Sequence, residues 1–133
     1  MTKNIYWTLS ASVKDKKIDD LKAYLSEVLR KTQTEIGCLN YEFWFSEDEK
    51  KLYVFERYAN CESCLDHIRN VSEDLPNFFD CVELDPIIIL GDVTVPVKAV
   101  FDKMNASYVN FFKGYTAYHI WSTINSEFKW STS

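Results

Sequence analysis

No stretch of this 133-residue sequence reaches the ~18 consecutive apolar residues of a membrane span, which argues against an integral membrane protein. The opening residues, Met1-Thr2-Lys3-Asn4-Ile5, carry no apolar core after the lysine. A secretory signal is therefore not expected, and the chain is read as cytoplasmic. Basic residues are in deficit, 15 Lys and Arg against 20 Asp and Glu, for a net charge of −5. The lysines are scattered in short polar stretches such as Lys14-Asp15-Lys16-Lys17, which read as solvated turns. Nucleic acid is not an expected partner, because neutralising phosphates requires clustered cations. A phosphate loop, a dinucleotide fingerprint, an H-E-x-x-H pair and a nucleophile elbow are all missing, and Gly37 alone cannot cradle a phosphate.

Aromatic residues are abundant instead: nine Phe, eight Tyr and four Trp make up 16% of the chain. Such an excess raises the expectation of an apolar pocket or a subunit interface beyond an ordinary core. The length fits one domain that can bury its core without staples.

Periodicity organises the chain. Ile5, Trp7, Leu9, Ala11 and Val13 alternate with polar residues as a strand over residues 4–13. Ile18, Leu21, Leu25, Val28 and Leu29 form one apolar stripe, so a helix is expected over 18–35, with Gly37 to stop it. Strands follow at 39–46 and 52–58, joined by the charged turn Ser46 to Lys51. Asn60 is suited to cap a helix over 60–71. Residues 72–82, broken by Pro76, read as irregular, and Ile87 to Leu90 as a fourth strand ended by Gly91. The order βαββαβ is the split arrangement of ferredoxin-like α+β folds, an antiparallel sheet with both helices on one face. A helix over 97–112 and a short strand over 115–124 are expected beyond it.

Two helices cover only one face of a four-stranded sheet, so the other face should be polar. Tyr6, Trp44, Tyr53 and Phe55 contradict that. So large an apolar patch needs a cover, and a second copy packed sheet to sheet supplies one. The chain's own C-terminal helix is the alternative.

The segment Glu35-Ile36-Gly37-Cys38-Leu39-Asn40-Tyr41-Glu42 resembles the E-x-G-C-x-x-Y stretch of the antibiotic biosynthesis monooxygenase (ABM) domain family. Phe55-Glu56-Arg57-Tyr58, followed by Asp66-His67, is similar to that family's E-x-W/Y…H element. In element order the resemblance covers roughly residues 4–92, so 1–92 is read as an ABM-like ferredoxin-like domain and 93–133 as a C-terminal extension packed on it. It implies a dimeric α+β barrel with a pocket between sheet and helices in each subunit. It further implies a monooxygenase with no resident cofactor, oxidising a small quinol or hydroxylated aromatic that itself supplies the electrons to oxygen. A non-catalytic small-molecule binding or regulatory module on the same dimeric fold is the alternative.

Glu56 follows Leu52 and Val54 in phase, so its carboxyl should face an apolar layer, where burial raises its pKa. Such a group can move a proton on a phenolic substrate. It can equally be a structural carboxylate paired with Arg57, His67 or a backbone donor. His67 lies at the edge of its helix's apolar side, either a base near neutral pH or a boundary histidine. Trp7, Tyr41, Phe43 and Tyr58 are the candidate substrate-lining aromatics, though core packing explains each as well. His119 is read as structural. Haem degradation within the ABM family needs an axial histidine near the end of the second helix; Asn70 to Asp74 has none, so haem is not expected. Cys61-x-x-Cys64 puts two thiols on one helical face, but Cys38 and Cys81 are isolated, so no metal site is expected. Burial as small apolar residues is the default for these cysteines, with a redox role left open by the position of Cys61 near a helix start.

Overall fold

The computed structural model describes residues 2–116. Strand β1 (Ile5–Val13) leads through a tight turn into α1 (Ile18–Thr32), which buries Leu21, Leu25 and Val28. Hairpin strands β2 (Cys38–Phe45) and β3 (Lys51–Tyr58) follow, then α2 (Cys61–Val71). The Asn60 side chain accepts a hydrogen bond from the Ser63 amide at 2.9 Å, the N-cap expected from sequence. Further on come α3 (Leu75–Cys81), β4 (Val82–Leu84), β5 (Ile88–Leu90), α4 (Val95–Phe101) and β6 (Ser107–Val109).

The sheet runs β2-β3-β1-β5-β6, with β4 also paired to β1. Every pair is antiparallel except β5 with β6, so the ferredoxin-like antiparallel core carries one added parallel edge. Trp7, Ala11, Leu52, Val54, Glu56 and Ile89 point to the helical side and are buried. On the other side Trp44 is 60% and Tyr53 50% exposed, joined by Ile88 and Leu90 from β5. Tyr6 and Phe55 pack against each other on that face, ring centroids 6.1 Å apart.

Two expectations need correction and a third needs extending. Residues 72–82 are helical for the most part: a short 3₁₀ turn runs into α3, where Pro76 falls in the first turn and lacks no bond it could have made. Phe78 and Cys81 thereby reach the core. The fourth strand stands where expected, as β5, but a second short piece, β4, precedes it. Leu84 lies opposite Ala11 and Ile89 opposite Trp7, so four steps along β1 are matched by five along its partner. The extra residue falls at Asp85-Pro86, where Ser10 donates to the Asp85 carboxylate at 2.6 Å. Finally, the helix expected over 97–112 stops at Phe101. Asn105 takes the left-handed conformation (φ 54°) after a 3₁₀ turn, and the chain then joins the sheet as β6. Tyr108 belongs to that strand, and its hydroxyl donates to Asp102 at 2.7 Å. The strand expected over 115–124 falls, beyond its first two residues, outside the described residues, as does His119.

Candidate active site

The register of the sheet assembles the site. Glu56 in β3 lies directly opposite Trp7 in β1 and Tyr41 in β2, and Trp7 lies opposite Ile89 in β5. One row of side chains therefore crosses the helical face with a carboxyl at its centre. Strand period two places Tyr58 on the same face, and its hydroxyl donates to Glu56 Oε1 at 2.7 Å. The Trp7 indole N–H donates to Oε2. From above, α2 delivers His67, whose Nε2 is 3.4 Å from Oε1. Its Nδ1 lies 3.2 and 3.1 Å from the two oxygens of Glu35. Arg57 is not the partner of Glu56; it points to the opposite face and binds Asn4 at 2.8 and 2.6 Å.

Around this cluster the aromatic rings close tightly. Trp7 stacks on Tyr58 at 4.5 Å and meets Phe101 of α4 at 4.9 Å. Tyr41 meets the His67 ring near-perpendicular, centroids 5.0 Å apart, and packs on Phe43 at 4.7 Å. Between sheet and helices lies a cavity of about 90 Å³. Glu56 and His67 are its polar lining, beside Trp7, Tyr41, Phe43 and the Tyr24 ring of α1. Tyr58 is fully buried behind Trp7 and does not line it. Val100, Phe101 and Met104 close the cavity from the C-terminal side.

Electrostatics follow from burial. Loss of solvent pushes the Glu56 carboxyl up to about 8, against the lowering effect of the Tyr58 and Trp7 hydrogen bonds. Desolvation lowers His67, opposed by Glu35. The phenols of Tyr24, Tyr41 and Tyr58 are all raised by burial and by the nearby Glu56. Among the cysteines, Cys64 is buried with its thiol pushed up, and burial lifts Cys38 to about 12, so neither is a poised thiolate. All four cysteines are free. Among the described residues, no three of His, Cys, Asp and Glu group closely enough to hold a metal ion.

Glu35 is the residue that site reasoning from sequence left out. It sits in the turn after α1, and its approach to His67 is a contact between a loop and a helix that no periodicity announces. The signal was Gly37. A Cβ there would overlap both Cβ and Oγ of Ser63, which lies one helical turn before His67 on the same face of α2. Gly37 thus lets the 33–37 turn dock on α2, rather than stopping α1, whose C-cap is Gln33. Gly37→Ala is expected to cost about 1–3 kcal/mol of stability, since the Ser63 backbone would have to move. An unchanged urea midpoint in that variant would contradict the close-approach argument.

No family model matches the chain, and no curated protein matches its sequence. Solved structures do match. MupZ from Pseudomonas fluorescens superposes with a TM-score of 0.79 at 19% identity, over 87% of this chain and 91% of that one. A Nitrosomonas europaea protein provisionally assigned as an antibiotic biosynthesis monooxygenase aligns with a TM-score of 0.61 at 16% identity, over 71% of this chain and 95% of that one. A Caulobacter crescentus protein with the same provisional assignment aligns at 0.61 and 19% identity, over 70% and 92%. No helix among the described residues is long and apolar enough to cross a membrane. The chain has the ferredoxin-like α+β fold of the ABM-like structures, extended at its C-terminal side.

Proposed function

We propose that this protein is a cofactor-independent monooxygenase of small quinols or hydroxylated aromatics, working as a cytoplasmic homodimer. The observation that carries this reading is the buried Glu56 carboxyl, held by Trp7 and Tyr58 and opening with His67 onto an aromatic-lined cavity. A flat ring stacks against Trp7, Tyr41 and Phe43 once the cavity of about 90 Å³ widens to admit it, since benzene already takes a cavity of ~150 Å³. Glu56, or His67 beside it, takes the phenolic proton, leaving an electron-rich anion that reduces oxygen directly. The balance is a phenol plus O₂ giving a quinone plus water: one oxygen atom enters the ring carbon, the other leaves as water, and the substrate supplies all four electrons. The cavity's apolar wall keeps bulk water from the anion. The provisional names of the two ABM-like neighbours point the same way.

A small-molecule binding module is the competing reading. On its side is the fact that Trp7 and Tyr58 already engage both carboxyl oxygens, as a structural carboxyl requires. Oxygen uptake by the purified protein against a panel of quinols and polyhydroxylated aromatics separates the two. Uptake above autoxidation that falls in Glu56→Gln supports the oxygenase. No uptake across the panel, with panel members shifting the melting temperature, supports the binding module.

A further inference from the structure

His67 has two ring nitrogens in two different settings. Nδ1 lies between both oxygens of Glu35, at 3.2 and 3.1 Å, while Nε2 looks inward to Glu56 Oε1 at 3.4 Å. Glu35 is itself held, because the Asn70 amide donates to its Oε2 at 2.7 Å. The His67 side chain is 3% exposed and that of Glu35 10%. On its far side Glu35 borders a second, polar recess with Thr32, Gln33 and Asn40, so one edge of the carboxylate stays in reach of solvent. We propose that Glu35 is a positioning residue: it accepts the Nδ1 proton of His67 and fixes the tautomer whose Nε2 lone pair is aimed at Glu56 and the cavity.

The chemistry requires the pairing to run in this direction. A carboxylate offers only acceptors, so the nitrogen facing Glu35 must carry the proton in the neutral ring. The remaining nitrogen then accepts, and a protonated Glu56 can donate to it. The chain Glu56–His67–Glu35 is in this way polarised from the cavity outward, with Asn70 as its anchor. The other titratable groups facing the cluster are Tyr58 and Glu56 from β3, Tyr41 and Cys38 from β2, Tyr24 from α1 and Cys64 from α2. Among the described residues Nδ1 has its hydrogen-bond contacts with Glu35. The use of Nε2 as a base rests on the proposed acid–base chemistry, whereas the tautomer does not.

The test is therefore spectroscopic. Long-range ¹H–¹⁵N correlation on histidine-labelled full-length protein distinguishes the protonated from the bare ring nitrogen, with His119→Gln assigning the second histidine. The native ring should favour Nδ1–H by at least about tenfold, as a charge-assisted hydrogen bond dictates. Glu35→Leu, lacking an acceptor, should lose that preference, and Glu35→Asp should restore it. Glu35→Gln should keep the tautomer through its amide oxygen. A native protein in which Nε2 carries the proton overturns the proposal even if no variant folds, and so does an unchanged tautomer in a folded Glu35→Leu. A correct tautomer with no oxygen uptake would leave the positioning role standing and remove the oxygenase reading.

Discussion

Glu56→Gln is expected to lower oxygen uptake by about 10²–10⁴-fold, the range typical of losing a general base. The amide keeps the shape of the carboxyl: its oxygen can accept from Trp7 while its NH₂ donates to the Tyr58 hydroxyl, which can reverse its role, so the fold should survive. The pH profile carries the sharper prediction. Burial holds the carboxyl protonated until about pH 8, so the base form appears only as pH rises through that value. Uptake by the native protein, corrected for autoxidation, should climb through about pH 8 and then level. A profile flat from pH 6 to 9 would remove Glu56 from the reaction.

The same burial has a cost in stability with a definite sign. Between the carboxyl's ordinary value of 4.5 and about 8, the folded protein holds a proton that the unfolded chain has released. Stability from this group is thus complete below 4.5 and is lost as pH rises through 8, at about 1.36 kcal/mol per pH unit. His67 opposes it at the acid end: its lowered folded value means that the unfolded chain binds the extra proton below about 6.5. The net fall should therefore lie between about 6.5 and 8. Urea denaturation across this range should show a slope that Glu56→Gln abolishes; identical slopes in both proteins would contradict a buried, proton-holding Glu56.

The second large effect concerns the open face of the sheet. Trp44 and Tyr53 are direct cross-strand neighbours, and Tyr6, Phe55, Ile88 and Leu90 extend the same patch. A second copy packed sheet to sheet would remove this apolar surface from water. Sedimentation is expected to show a dimer at micromolar concentration. The double variant Trp44→Glu, Tyr53→Glu should be monomeric, because each buried aromatic anchor is worth about 2 kcal/mol or more and like charges add repulsion. A native protein that sediments as a monomer would end the dimer reading and leave the patch for another occupant.

Much of this architecture was legible because strands and amphipathic helices write their period into the chain. The alternation through Trp7 and Leu9, the α1 stripe and the Asn60 cap all lie within single elements. The phase of Glu56 after Leu52 and Val54 likewise placed its carboxyl in the apolar layer. Two of the three failures share a cause, in that each depended on contacts across elements; the first is local. Pro76 read as a break, but at a first turn proline begins a helix as readily as it interrupts one. The apolar stripe from Val97 to Phe111 fitted a helix until Asn105 turned the chain and β5 offered Tyr108 a strand to pair with. Glu35 could not be assigned to His67 from spacing alone, because 32 residues separate them and only the docked turn brings them together.

The one-residue mismatch opposite β1 has a consequence for how the chain tolerates changes in length. Leu84 and Ile87 both line the cavity, although an odd separation along an uninterrupted pleat sends two side chains to opposite faces. The surplus residue at Asp85-Pro86 is a bulge that lets both face the cavity despite that odd separation. Deleting it would leave Leu84 and Ile87 two residues apart on a regular pleat, with Ile87 and Ile89 still inward and Ile88 and Leu90 still outward. A residue lost within β5 itself would instead exchange the cavity lining and the outer patch. The Asp85-Pro86 junction is therefore the one place along this edge where a codon can be shed and both surfaces kept.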